Sequence, residues 1–219
     1  MPQQQSRTPH IREIFLKYGR KVHYEANTPL TREGDEANEL CYITRGEVRA
    51  FCSSPDGEEL TLFYIGADNM IFTEALVDET PKILRNSETT TAVDMYAIDA
   101  KQFMEIWNEG GYPMQELMVH TVHRFMLLHE YICCAHFRES DKRVAYLLYT
   151  SYTRSGPVIH YTHEQIASIA GINRVSVSRI INNLVKENIL AQGYRKIEVI
   201  DAERLSRVFD SFGCGLEDK

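Results

Sequence analysis

The chain has 219 residues, 43% of them hydrophobic and 25% charged, with a net charge of −7. That length and apolar content suit two domains with real cores and exclude a disordered polar chain. No stretch approaches the roughly 20 apolar residues of a membrane span, and the start, MPQQQSRTPH, has no apolar signal core, so a cytoplasmic protein with no membrane partner is expected. Taken in order, Ile11, Ile14, Phe15 and Tyr18 recur at helical spacing and predict a short helix over 11–18. From residue 21 to 98 the period shortens, and β-branched and aromatic runs alternate with turn residues. Two strands about a glycine are predicted in 42–51, a turn at 53–57, a strand over 59–65 and a single strand over 89–98. This spacing suggests an antiparallel β-roll. Asp99 is placed to cap a helix over 101–107, and Gly110, Gly111 and Pro113 end it and open the next. Residues 114–137 hold neither Gly nor Pro and predict one long helix. Along it Met118, Val122, Phe125, His129, Ile132 and His136 step by four and three, the spacing of a coiled-coil seam. Asp141 is expected to cap a further helix, 151–157 reads as a loop, and 158–160 as a short strand.

The stretch from Tyr161 to Leu190 carries the most information. Thr162 and Gln165 have the spacing of a capping box, Gly171 marks a sharp turn, and Asn173 can cap a second helix. In that second helix Val177, Ile180, Ile181 and Leu184 share one arc, the core face. The opposite side near the N-terminus presents Arg174, Val175, Ser176, Ser178 and Arg179, with no acid. An ordinary amphipathic helix would mix Glu and Lys there. This set suits a major groove, where Arg meets guanine, Ser meets a base or phosphate and an apolar group meets a thymine methyl. Thr162 and Lys186 are placed for phosphate. Residues 189–200 then read as a winged hairpin with Arg195 and Lys196 at its turn, and Asp201 starts a last helix.

Gly171-Ile-Asn-Arg-Val-Ser-Val-Ser-Arg179 resembles the recognition element of the CRP/FNR family of bacterial transcription regulators. Gly34-Asp35, Leu40-Cys-Tyr-Ile-Thr-Arg-Gly-Glu47 and Asp56-Gly-Glu-Glu-Leu60 resemble the family's cyclic-nucleotide-binding roll. The resemblance implies a homodimer joined through the long helix. The charge distribution agrees with a DNA reader attached to a domain with another task. Residues 138–200 hold nine Lys and Arg against five Asp and Glu, whereas residues 1–137 hold twelve against twenty-one.

The effector is less legible. Cyclic-AMP-binding members hold the phosphate with a Gly-Glu pair and an Arg-Ser pair. Glu74 matches the glutamate, but Thr73 replaces the glycine, and Ile83 and Leu84 align with Arg-Ser. Apolar groups cannot neutralise a phosphate, and the flanking Lys82 and Arg85 could compensate only if the register slips, so a cyclic nucleotide is disfavoured. An iron–sulfur sensor would need closely spaced N-terminal cysteines, and none precedes Cys41. A pocket for a small organic, aromatic acid is expected instead. Its walls would be Phe63, Tyr64, Phe72, Ile83 and Leu84, with Glu74, Lys82 and Arg85 beside them and Phe125, Leu128 and His129 of the long helix. For Phe63, as for Leu76, roll core is the favoured reading. The loop and strand resemble the subgroup that senses aromatic or phenolic acids. His129, Cys133 and His136 share a helical face, yet such residues also sit at interfaces without metal, and no metal or other cofactor is assigned. The five cysteines, odd in number and without a CxxC pair, suggest no disulfide framework.

The expectation is therefore an α+β chain. It comprises an effector-sensing β-roll at 1–112, a dimerisation helix at 113–138 and a winged helix-turn-helix at 139–219. It would be a ligand-responsive regulator binding a palindromic site on double-stranded DNA, with RNA polymerase as a further partner. The alternatives are a cyclic-nucleotide-responsive or redox- or metal-responsive regulator, and a small-molecule-binding protein whose DNA-binding domain is vestigial. No nucleophile–base motif or phosphate loop suggests an enzyme.

Overall fold

The structure is a computed structural model that describes residues 8–77, 81–193 and 196–209. Its contacts divide the chain into two compact units, between Leu127 and Leu128. Arg195 and Cys214 lie outside the described residues.

The first unit is a roll of two four-stranded antiparallel sheets. One is built from β1 (Arg20–Tyr24), β3 (Glu39–Arg45), β6 (Asn69–Ile71) and β8 (Val93–Asp99), in the order β1-β8-β3-β6. The other is built from β2 (Pro29–Thr31), β4 (Val48–Ser53), β5 (Glu59–Ile65) and β7 (Asn86–Thr89), in the order β2-β7-β4-β5. Side chains alternate as a half-buried strand requires: Thr61, Phe63 and Ile65 of β5 point inward. The single strand expected over 89–98 is two strands in different sheets. The break has a local cause. Thr90 N–H donates to the Glu47 carbonyl at 2.9 Å, and Glu47 N–H donates to Thr91 Oγ1 at 3.0 Å. These bonds let the chain leave one sheet for the other.

Helices α1 (Pro9–Tyr18) and α2 (Ala100–Glu109) cover the first sheet. Phe15 lies 5.5 Å from both Tyr42 and Phe103, and Phe103 lies 5.7 Å from Trp107, all four rings buried. Such rings contribute about 1.5–3 kcal/mol each by leaving water. Asp99 caps α2 by accepting from the N–H groups of Lys101 and Gln102. Helix α3 (Met114–His136) starts beside α1. There Glu116 Oε2 accepts from the backbone N–H groups of His10 and Ile11, at 3.2 and 3.3 Å, satisfying donors that a helix start leaves open.

The second unit holds the end of α3, then α4 (Ser140–Ser155), β9 (Val158–Ile159), α5 (His163–Ala170) and α6 (Arg174–Lys186). The strands β10 (Leu190–Gly193) and β11 (Lys196–Val199) and helix α7 (Ala202–Arg207) come after them. Its sheet runs β10-β11-β9. Val144, Leu148, Ile166, Val177, Ile181 and Leu205 are its fully buried centre. Two expectations need correcting. Asp141 is not the cap of α4: the helix starts a residue earlier, after Glu139, and Asp141 sits in its first turn, where a carboxylate still suits the helix dipole. Residues 151–155 are helix, not loop. Ser151 Oγ donates to the Leu147 carbonyl at 2.7 Å, and the helix ends where Gly156 takes φ 86°.

Candidate nucleic-acid interface and effector pocket

The two helices of the second unit are set by their caps. Thr162 accepts from Gln165 N–H, and the Gln165 side chain accepts from Thr162 N–H in return. Gly171 ends α5 at φ 62°, a conformation that costs glycine little. Arg143 Nη1 donates to the Ala170 carbonyl at 2.8 Å, placing a cation at the C-terminus of α5. Asn173 accepts from Ser176 N–H at 2.8 Å and starts α6.

Helix α6 buries Val177, Ile180, Ile181 and Leu184. Arg174, Val175, Arg179 and Lys186 are exposed, Val175 by 78%. Ser176 and Ser178 are half-buried. An apolar side chain that exposed, between two arginines, has no use within the unit. A groove runs between the start of α5, the start of α6 and the wing strands. Thr162, His163, Arg174, Gln192 and Lys196 line it, with Glu164, whose carboxylate is 3.9 Å from Arg174 Nε. His163 bridges this groove, its Nδ1 2.8 Å from Ser178 Oγ and its Nε2 3.1 Å from Gln192 Nε2. Burial, then the charge of Arg174, holds its pKa below the ordinary value. His163 was not among the expected site residues. Its signal was its place immediately after the Thr162 cap.

The pocket of the first unit lies inside the roll, lined by Thr31, Val48, Ala50, Ile65, Ile71, Phe72, Glu74, Ile83, Arg85 and Ser87. It is narrow, with about 10 Å³ of room, the space of one water. Arg85 Nη1 lies 2.6 Å from Glu74 Oε1. Glu74 Oε2 is buried without a hydrogen-bond partner. Arg124, from α3, comes in from the side. Its Nη2 donates to the Met70 carbonyl at 2.9 Å, and its pKa is pushed down to about 10 by burial and then by the charge of Arg85. Both guanidinium groups lie against the Phe63 ring, at 5.5 Å for Arg85 and 5.3 Å for Arg124. One turn before Arg124, His120 Nε2 accepts from Met70 N–H at 3.2 Å, so both backbone groups of Met70 are held by α3. Burial pushes the His120 pKa down to about 4.

The structure sorts the expected pocket residues. Phe72, Glu74, Ile83 and Arg85 line the cavity, and Phe63 underlies the cations. Tyr64 is half-buried and is not in the lining. Lys82 is exposed and pairs with Glu36 at 3.7 Å, and Leu84 is 68% exposed. These two are corrections. The segment is pinned to residues 34–37, the Ile83 N–H donating to the Asp35 carbonyl and the Ile83 carbonyl accepting from Gly34 N–H, both at 2.9 Å, and this buries Ile83 and leaves Lys82 and Leu84 exposed on either side of it. The case against a phosphate, which rested on Ile83 and Leu84, loses its ground because Arg85 supplies a cation two residues on. Phe125 is 67% exposed on α3, as are Met118, by 61%, and Val122, by 51%. Leu128, His129, Ile132 and His136 fall in the second unit, where Ile132 is 67% exposed. Cys133 Sγ lies 3.7 Å from His129 Nε2, but no three His, Cys, Asp or Glu among the described residues come together to hold a metal. Arg124, Thr31 and Ser87 were not anticipated. Arg124 did leave a mark, as the one Lys or Arg in α3.

Residues 21–109 match the family model described as a cyclic nucleotide-binding domain, and residues 142–208 match the Crp-like helix-turn-helix domain. A curated relative, the cyclic AMP receptor protein of Thermus thermophilus, is 24% identical over 204 residues, 91% of this chain and 93% of its own length. The structure of a CooA mutant from Carboxydothermus hydrogenoformans aligns with a TM-score of 0.73 at 20% identity, covering 88% of each chain. The c-di-GMP-responsive regulator CLP of Xanthomonas campestris aligns with a TM-score of 0.67 at 18% identity, covering 87% of this chain and 98% of its own. Relatives of one architecture thus carry different effectors in their names.

Proposed function

The chain belongs to the CRP/FNR family of ligand-responsive, DNA-binding transcription regulators, and from that premise we propose that it acts as a homodimer, reads an inverted-repeat DNA site with α6, and responds to a small organic acid held in the roll. The observation that carries the DNA reading is the exposed face of α6, where Arg174, Val175 and Arg179 stand on a helix that carries no acid of its own, the carboxylate beside Arg174 being Glu164 of α5. Arg179 reads a base, Val175 meets a thymine methyl, Ser178 assists, and Arg174, Thr162, Lys186 and Lys196 hold phosphates. Met118, Val122 and Phe125 form the apolar face that a second α3 covers, and Ile132 continues it one heptad on in sequence.

For the effector, the supporting observation is the charge at and beside the pocket. Arg85, in the lining, and Arg124, which shares the Phe63 ring with it, outnumber the one lining carboxylate, Glu74. An anion restores the balance, and Phe63 and Phe72 supply aromatic surface beside it. The same Arg85 favours a second reading, a cyclic nucleotide bound through its phosphate. The cavity, with room for one water, must widen for either, so binding selects a widened form of the roll and shifts the population of dimer geometries. RNA polymerase is the partner at the promoter, and the cytoplasm is the compartment.

The test is a titration of the full-length protein against duplexes with randomised inverted half-sites, alone and with benzoate- and phenylacetate-type acids or cyclic nucleotides. DNA binding that appears with an aromatic acid supports the first effector reading, and binding that appears with a cyclic nucleotide replaces it by the second. Absence of selected sequences under every condition, with binding insensitive to salt, would refute the DNA reading itself.

A further inference from the structure

We propose that His163 is a positioning residue that fixes the Ser178 hydroxyl as a hydrogen-bond donor toward the major groove, and thereby sets which base α6 accepts beside Arg179. The proposal rests on the reading of α6 as the DNA-reading helix, and it names a residue outside that helix as part of its specificity.

The argument begins with the amide of Gln192. Its Nε2 lies 3.1 Å from His163 Nε2. An amide nitrogen donates and has no free lone pair, so the ring nitrogen facing it accepts and carries no proton. In a neutral imidazole the proton is then on Nδ1, which lies 2.8 Å from Ser178 Oγ. The lowered His163 pKa, from burial and the nearby Arg174, keeps the ring neutral at ordinary pH. His163 Nδ1–H therefore donates to the serine oxygen, and the serine hydrogen is left for another acceptor.

A serine inside a helix has an alternative. Its hydroxyl often donates to the carbonyl four residues back, as Ser151 does to Leu147 at 2.7 Å in this same unit. Ser178 instead meets the imidazole, fifteen residues away in sequence and held from the other side by the wing strand. Ser178 makes no bond to the carbonyl four residues back, so its hydroxyl hydrogen is left for an acceptor outside the helix. Guanine, adenine and thymine all present an acceptor in the major groove at O6 or N7, N7 and O4, whereas cytosine presents the N4 amino donor. A donor fixed at this point disfavours cytosine at the facing position of each half-site.

The test is site selection by the full-length protein from duplexes with randomised inverted half-sites, with sequencing of the bound pool. The variants are Ser178→Ala, His163→Leu, His163→Asn and the double variant Ser178→Ala/His163→Leu, with thermal unfolding recorded for each. Asparagine keeps a donor at the δ position, where Nδ1 stands. Ser178→Ala and His163→Leu are expected to lose the bias against cytosine at the same half-site position, by about 2- to 10-fold, the worth of one hydrogen bond. The double variant should lose no more than either single one, and His163→Asn should keep the bias. Full bias in His163→Leu, with the bias lost in Ser178→Ala, would overturn the role of His163 alone. An unchanged base profile in Ser178→Ala would overturn the contact of Ser178 with DNA and this inference with it. Should His163→Leu fold poorly, His163→Asn decides: loss of the bias in a stable His163→Asn protein contradicts the proposal.

Discussion

Arg85 Nη1 and Glu74 Oε1 lie 2.6 Å apart inside the roll, while the second oxygen of Glu74, also buried, meets no hydrogen-bond donor. The pair is therefore half-satisfied, and an incoming anion with a donor of its own completes it. Removing one partner of a buried pair costs about 3–5 kcal/mol, and Arg85, with its side chain 20% exposed, belongs at or below the lower end. Arg85→Leu is expected to lose about 2–3 kcal/mol of stability in the first unit and to abolish any effect of the effector on DNA binding. Arg85→Leu/Glu74→Leu should recover the stability but not the response. Denaturant unfolding and effector-dependent DNA titration check the two halves. A full response in Arg85→Leu would remove the cation from the site.

His120 makes the first unit sensitive to acid. Burial lowers its pKa from 6.5 to about 4, and the charges of Arg124 and His123 push the same way. The folded pKa lies below the unfolded one, so the folded state disfavours the protonated ring. The contribution to stability is complete above pH 6.5 and is lost as the pH falls from 6.5 towards 4, by up to about 3 kcal/mol. Unfolding measured across that range should show the slope, and His120→Gln, which keeps an acceptor for Met70 but does not titrate, should flatten it. An equal slope in both proteins would assign the acid sensitivity to other groups.

Arg179 and Lys196 are expected to fail differently. Arg179→Ala should reduce discrimination between selected and random DNA by about 1–3 kcal/mol, the worth of a bidentate contact to a base. Lys196→Ala should weaken binding to both about equally and make the salt dependence shallower by roughly one counterion, since a phosphate contact reads no sequence. Titrations at several salt concentrations separate the two. Unchanged discrimination in Arg179→Ala would take that residue off the bases.

The exposed face of α3 is expected to close in a dimer. Val122 and Phe125 are 51% and 67% exposed, and a carboxylate at either would be buried unpaired in a helix seam. Val122→Glu and Phe125→Glu should sediment as folded monomers and lose affinity for an inverted repeat far more than for a single half-site. A stable dimer in both variants would move the interface off this face.

Much of the second unit could be read from residue order because its signals are local. The capping box of Thr162 and Gln165, the turn at Gly171, the cap at Asn173 and the buried stripe of α6 each span a few residues, and the structure repeats them. The pattern of the long helix was legible for the same reason. Where spacing misled, a nonlocal contact was responsible. The single strand expected over 89–98 breaks because Thr90 and Thr91 bond to Glu47, more than forty residues away. Lys82 and Leu84 were grouped with Ile83 and Arg85 by position, and the pairing of this segment with residues 34–37, more than forty positions back, decides which of them are buried.

Residue order thus determined the two kinds of domain, the polarity of α6 and the uneven charge of the chain, all consequences of periodicity and composition. Tertiary structure decided which charges meet. Arg124 reaches Phe63 and Met70, Arg85 turns inward to Glu74, and His163 joins Ser178 to Gln192, each between residues well apart in sequence. A buried charge or a positioned proton depends on everything around it in space, and spacing along the chain records only the neighbours within a turn or two.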